Sequence, residues 1–367
     1  MYHVKTKNFD NSCLPFLNKI VNKNRPPDTA DTLTLSPLSR HNNPIMSKNF
    51  WLKLKKPIFV LAPMANVTDA VFRRLIAKYG RPDAMFTEFV SCDGLQSVGH
   101  AKLLIDLQYT EAERPIVAQI FGSKPANFYK TAQLARELGF DGIDINMGCP
   151  EKNLVKSGSC AGLIRTPQLA QEIIRATQAG AQGLPVSVKT RIGFNKNEIE
   201  TWIPALLAVE PAVLTVHGRT RKEMSLVPAN WDVIARAVEI RNETKSKTLI
   251  FGNGDVRDLE DAAAKAKQYG VDGVMLGRAI FGNPWLFNRE KKTPTIEERL
   301  HVLVKHTLLY EKILGGKKSF DLMKKHYKAY VSGWDGAKEL RIELMTAKTA
   351  GEVEKIVVLY LKNNTNK

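Results

Sequence analysis

Short apolar runs and longer amphipathic stretches alternate through most of this chain. The runs are IFVLAPM (58–64), AMFTEFV (84–90), IVAQIFG (116–122), GIDINMG (142–148), VSVKTR (186–191), VLTVHG (213–218), TLIFGNG (248–254) and DGVMLGR (272–278). A short apolar run that closes on glycine or a polar residue reads as a buried strand. Between most of them lie segments with helical periodicity, such as DAVFRRLIAKYG (69–80) and PANFYKTAQLARELGF (125–140). Several of these end on the glycine that stops a helix. Eight strands interleaved with helices over roughly 230 residues predict an α/β chain folded as a (β/α)8 TIM barrel. A doubly wound open sheet is the alternative, but no G-x-G-x-x-G follows the first strand.

The pattern changes at both ends of this region. After residue 290, TIEERLHVLVKHTLLYEKI, SFDLMKKHYKAYVSG, GAKELRIELMTAK and AGEVEKIVVLYLK read as four helices with no strand between them. Before residue 50, the stretch NKNRPPDTADTLTLSPLSRHNNP is rich in Asn, Pro, Ser and Thr and has little periodicity. The expected organisation is therefore a disordered or untranslated extension over 1–49, with Met46 as an alternative start. A catalytic barrel over 50–290 follows, then a small all-helical domain over 291–367.

Charge adds a partner to this picture. The formal net charge is +17 with a pI near 9.6. In residues 291–367, 16 lysines and arginines stand against 9 aspartates and glutamates. An excess of that size favours a polyanion, most simply a nucleic acid, over a general solubility charge. No apolar run approaches the roughly 20 residues that span a bilayer, and the N-terminus lacks a basic-then-apolar export pattern. The cysteines, at 13, 92, 149 and 160, show no zinc-type spacing. The expectation is a cytoplasmic monomer with free thiols, no metal and no membrane partner.

In a barrel of this kind, chemistry sits where strands end. The ends here carry Pro63 and Met64, Glu88, Gln119, Asn146 followed by Cys149, Lys189 and Arg191, His217 and Arg219, Asn253 with Gly254 and Asp255, and Gly277 with Arg278. Polar groups at nearly every strand end on one rim are hard to explain as packing. FGNGDV and VMLGRA, on the last two strands, read as a phosphate cradle. Glycines admit backbone N–H groups to the anion, a helix start adds its positive end, and Arg278 adds a bidentate charge. The plainer reading is tight turns and a surface arginine. Lys189 lies inside an apolar run and needs an anionic or electron-rich partner; an ion-paired or Schiff-base lysine is the alternative. His217 reads either as a core histidine or as a site residue beside Lys189. Cys149, in INMGCP, reads as a small buried hydrophobe, a thiolate nucleophile or a general acid, and its loop position argues against the first. Cys160 reads as packing.

Together these pieces resemble the tRNA-dihydrouridine synthase family. APMANVTDAVFRRL, TEFVSCDGL, VAQIFGS, DINMGCPEKNLVKSGSCAGLI, VKTRIG, TVHGRTR, GNGDV and VMLGRAIFGNPWLF occur in family order over about residues 57–290. The C-terminal helices, with HYKAYVSGWDGAKELR, resemble that family's helical domain. The resemblance implies an enzyme that reduces the C5=C6 bond of uridine in tRNA with flavin mononucleotide (FMN), itself reduced by NADPH. It implies FMN phosphate on Asn253, Gly254, Asp255, Gly277 and Arg278. It implies the flavin ring and ribityl chain near Pro63, Met64, Gln119, Lys189 and His217, and uracil near Asn146 and Arg191. It implies Cys149 as the proton donor to C5. The helical domain is then the tRNA-binding part. Two places depart from the family pattern: Asn66 stands where glycine is usual, and RKEMSLVPANW lacks the usual glycine and aromatic. Two other readings compete. One is a flavin oxidoreductase of the dihydropyrimidine or dihydroorotate type acting on a small molecule. The other is an RNA-binding protein on a barrel that has lost catalysis.

Overall fold

The computed structural model describes residues 49–290 and 293–364. The expectation for 1–49 therefore falls outside the described residues, apart from Asn49. Nine parallel strands form the sheet: β1 (Ile58–Leu61), β2 (Met85–Phe86), β3 (Val90–Ser91), β4 (Ile116–Phe121), β5 (Gly142–Met147), β6 (Val186–Arg191), β7 (Val213–His217), β8 (Leu249–Asn253) and β9 (Gly273–Leu276). Their order is β1-β9-β8-β7-β6-β5-β4-β2, with β3 also on β4. A bridge between Val60 and Ala84 brings the ends together, so the sheet is a nearly closed barrel. The second apolar run, expected as one strand, is split into β2 and β3. Thr87 and Glu88 leave the ladder there, and Lys318 from the helical region grips Glu88 at 2.8 Å.

Side chains alternate along each strand, so one set fills the barrel and the other meets the surrounding helices. The helices form where the sequence starts and stops them. Asp69 accepts from the N–H groups of Val71 and Phe72 and caps Ala70–Tyr79. Pro125 and Pro167 open the helices Pro125–Glu137 and Pro167–Ala181. Gly270, at φ 66°, ends Leu259–Tyr269. Each helix buries one apolar stripe against the strands, such as Val71, Phe72, Leu75 and Ile76. Each of these side chains contributes roughly 1.5–3 kcal/mol on full burial.

Four further helices follow the barrel: Ile296–Leu314, Lys324–Tyr330, Ala337–Thr346 and Ala350–Asn364. A capping box between Thr295 and Glu298 opens the first. These helices share the barrel's apolar core rather than forming one of their own. Phe72 of the barrel stacks on His306 at 5.1 Å and meets His326 at 5.0 Å. Both imidazoles are buried, and burial holds both below their ordinary value. Among the described residues no helix is long and apolar enough to cross a membrane.

Candidate active site

Strand register assembles the site. Gln119 pairs with Asp144, Asn146 with Lys189, Lys189 with Thr215, Arg191 with His217, and His217 with Asn253. Residues in register on parallel strands point the same way. Asp144 and Asn146, two apart on β5, therefore share a face with Gln119, Lys189, Arg191, His217 and Asn253. One polar belt thus lines the C-terminal end of the barrel.

The belt is cross-linked. Gln119 donates through Nε2 to Asp144 at 2.7 Å, and its Oε1 accepts from Asn146 Nδ2 at 3.2 Å. Ser187 donates to Asp144 at 2.6 Å. Burial nevertheless pushes Asp144 up to about 6, against the hydrogen bonds from Gln119 and Ser187. Asp144 and Ser187 escaped the sequence reading. They lie two residues upstream of Asn146 and Lys189, and period-two alternation was the signal that marks them.

Asn146 does more than line the barrel. Its Oδ1 accepts from the N–H groups of both Gly148 and Cys149, each at 3.0 Å. Arg191 donates from Nε to the Gly148 carbonyl at 2.7 Å, and from Nη1 to the carbonyls of Thr220 and Met224 at 3.0 and 2.9 Å. The loop that carries Cys149 is thus gripped from β5 and β6 at once. Both residues expected near the substrate are engaged in holding the thiol. The same Arg191 ties down the 220–229 loop, where Met224, Leu226 and Val227 are exposed.

Cys149 is partly exposed at the mouth. The Cys160 thiol beside it donates a hydrogen bond and holds the Cys149 thiol below its ordinary value. The cost of burial opposes this, and the Glu151 N–H and Arg191 add to it. The contact with Cys149 and burial push the Cys160 thiol strongly up. Cys160 packs, as expected, but it also touches the site.

Positive charge converges here. Lys189 is pushed down to about 8, first by burial and then by Arg191. Among the described residues no hydrogen bond or ion pair engages its ammonium. His217 is held well below its ordinary value by burial and by Lys189, Arg191, Arg219 and Arg278. Its Nε2 lies 3.1 Å from Arg219 Nη1. A guanidinium only donates, so Nε2 accepts and the neutral ring carries its proton on Nδ1. Arg219 also holds Asp255 and the Val227 carbonyl.

The last two strands form the expected cradle. Gly254 (φ 125°) and Asp255 (φ 49°) are successive left-handed residues, a backbone turn that presents N–H groups to an anion. Gly277 leads into the short helix Arg278–Ile280, and a Cβ on it meets only Ala62 Cβ at 3.8 Å. Among the described residues no hydrogen bond engages the backbone N–H of Gly254, Asp255, Gly277 or Arg278. Four free donors with Arg278 above them fit a phosphate monoester. The side chains of Asn253 and Asp255 are both taken up by internal partners. Asn253 Nδ2 donates to the Met275 carbonyl, while Asp255 accepts from Arg278 at 2.7 Å and from the Ala229 N–H at 2.9 Å. They shape the cradle rather than contact an anion. Pro63 and Met64 stand partly exposed just beyond β1. Asn66, where glycine was expected, takes φ 57° and donates its N–H to Glu88 at 2.5 Å. Asparagine tolerates that conformation better than most residues.

A depression of about 960 Å³ opens at the opposite end of the barrel, between Pro185, Pro211, Arg241 and Thr248. It gathers no strand-end belt, so the convergence of polar groups, not volume, identifies the site.

The sequence pattern of the family described as dihydrouridine synthase matches residues 60–366. A probable tRNA-dihydrouridine synthase 2 of Bacillus subtilis (strain 168) is 42% identical over 315 residues, covering 85% of this chain and 96% of its own. A probable tRNA-dihydrouridine synthase of Staphylococcus aureus (strain MRSA252) is also 42% identical over 315 residues, covering 85% and 95%. Among solved structures, an old yellow enzyme homologue from Zymomonas mobilis is 13% identical. It covers 66% of this chain and 92% of its own at a TM-score of 0.47.

Proposed function

This chain belongs to the dihydrouridine synthase family of flavin-dependent oxidoreductases, and from that premise we propose that it reduces uridine to dihydrouridine in tRNA, using FMN and NADPH. The observation that carries this reading is the grip on Cys149. Asn146 and Arg191 hold its loop at a mouth lined by Lys189, His217 and an anion cradle.

Uracil has a C5=C6 bond conjugated with the C4 carbonyl. FMN, when bound and reduced, would supply the hydride that adds at C6. The chain's own residues manage the charge that then appears on C5 and the C4 oxygen. Cys149 delivers a proton to C5 as general acid. Lys189, whose ammonium no hydrogen bond or ion pair engages among the described residues, stabilises the developing negative charge. His217, neutral and locked by Arg219, orients a neighbour without adding a second full cation. The N–H groups of Gly254, Asp255, Gly277 and Arg278, with the Arg278 guanidinium, would hold the FMN phosphate. Pro63, Met64, Gln119, Lys189 and His217 would meet the ring and ribityl chain, and Asn146 and Arg191 would lie near the uracil.

A uridine inside a folded tRNA must leave its stack to reach a barrel mouth. The basic helical region over 291–367 supplies phosphate contacts for docking, and the reaction takes place in the cytoplasm. Charge favours tRNA over a free pyrimidine, since a small base needs no polyanion surface.

The test is dihydrouridine formation, read by mass spectrometry, from unmodified tRNA, free uridine and free uracil. Each is offered with NADPH or NADH. Product from tRNA with NADPH is the expected result. Product from the free base alone would replace this reading with a small-molecule reductase.

A further inference from the structure

Cys160 has no part in the reaction above, yet its placement is costly. It sits at φ 53°, in the left-handed region where a Cβ costs about 1–2 kcal/mol, and glycine is the usual occupant. Its side chain is fully buried. Backbone strain of this kind concentrates at functional positions. Here the backbone sets it beside one neighbour: the Ala161 N–H donates to the Cys149 carbonyl at 3.3 Å, and each of the two thiols shifts the titration of the other. One thiol is thus reachable from the barrel mouth, and the other waits behind it in the protein. Arg191 beside Cys149 favours its thiolate.

We propose that Cys149 and Cys160 are a dithiol that hydrogen peroxide converts to an intrachain disulfide, a modification site that reversibly withdraws the proton donor. The Cys149 thiolate attacks the O–O bond, forming an S–O bond and releasing hydroxide. Cys160 then attacks the resulting sulfenic sulfur. The S–S bond forms, and the sulfenic oxygen leaves as water with the Cys160 proton. Two thiols are oxidised and one peroxide is reduced to two waters. The buried partner captures the sulfenic acid before a second peroxide carries it to the irreversible sulfinic state.

The loss of turnover rests on Cys149 being the proton donor, whereas the bond itself does not. The test therefore reads the bond directly. The full-length, flavin-loaded protein is treated with hydrogen peroxide, its free thiols are alkylated, and its peptides are mapped by mass spectrometry. The expected result is a linked pair of peptides carrying Cys149 and Cys160, short by two hydrogens. Dithiothreitol should remove the link and restore activity. In Cys160→Gly and Cys160→Ala, the same peroxide should leave Cys149 as sulfinic or sulfonic acid, with activity that dithiothreitol does not restore. Over-oxidised Cys149 beside an alkylated Cys160 in the wild type would overturn the proposal. So would a link to Cys92, or both thiols recovered free. A Cys149–Cys160 link in a protein that makes no dihydrouridine would keep the dithiol and reject the proposed reaction instead.

Discussion

At the N-terminal end of the barrel, three aspartates each accept from an N–H in the first two residues of a strand. Asp83 takes Phe59 at 2.7 Å, Asp141 takes Ile116 at 2.8 Å and Asp272 takes Ile250 at 2.9 Å. Two of the three are ion-paired as well: Arg114 binds Asp141, and Lys56 and Arg241 both bind Asp272. At the C-terminal end, Lys189 has no partner among the described residues, His217 faces four cations, and Asp144 is buried with only neutral donors bonded to it. The same strands thus carry compensated charge at one end and uncompensated charge at the other. Compensated charge closes a fold. Uncompensated charge, held in place at a cost, waits for a ligand. The difference separates the functional end from the structural one before any relative is consulted.

The sharpest way to break this contrast is to remove one group from each end and compare what is lost. Cys149→Ala should lower dihydrouridine formation by about 10²–10⁴-fold, the usual range for a lost general acid. Its thermal midpoint should stay close to that of the wild type. A variant that unfolds instead would make Cys149 structural.

At the other end, Asp272→Asn should cost about 2–4 kcal/mol of stability, since it strands Lys56 and Arg241. Turnover per folded molecule should hold. Burial raises the Asp272 carboxyl, but Lys56, the Ile250 N–H and Arg241 outweigh it and leave it below its ordinary value. Its contribution is therefore present above the unfolded carboxylate range near pH 4. It is lost as pH falls through the lower, folded value. Urea melts across that acid window should be flatter in Asp272→Asn. An equally steep loss would show that Asp272 does not supply it.

Arg278→Ala sharpens the claim about the cradle. Flavin affinity, read by fluorescence on dilution, should fall about tenfold or more, as expected for a charge-assisted phosphate contact of 1.5–3 kcal/mol. Unchanged affinity would leave the cradle to the backbone alone. The smallest effect belongs to the helical region. Lys328 and Lys338 are exposed there. The double variant Lys328→Ala, Lys338→Ala should reduce the slope of log affinity for tRNA against log salt by roughly one per lost phosphate contact. An identical slope would move the docking surface elsewhere.

Much of this was legible in the chain, for physical reasons. The eight apolar runs became barrel strands because buried parallel strands need continuous apolar sequence. The strand-end polar residues fell on one rim because direction is fixed by chain order. What escaped depends on distant partners. The second run breaks at Glu88 because Lys318, far along the chain, sits between Glu88 and Asp106. Sequence does not show that Gly148, Thr220 and Met224 bond Nε and Nη1 of Arg191. Nor does sequence show that the helical region shares the barrel's apolar core, where Phe72 meets His306 and His326. Cys160 reads as packing because sequence shows neither its left-handed backbone nor its neighbour.

The most direct measurement is a single turnover of unmodified tRNA in deuterated water. Wild type and Cys149→Ala are each loaded with flavin and reduced with NADPH beforehand. The account predicts that the wild type forms dihydrouridine carrying one deuterium at C5 and that the variant forms almost none. Equal rates in the two proteins would contradict it, because the uncompensated end of the barrel would then do its chemistry without the thiol it is built to hold.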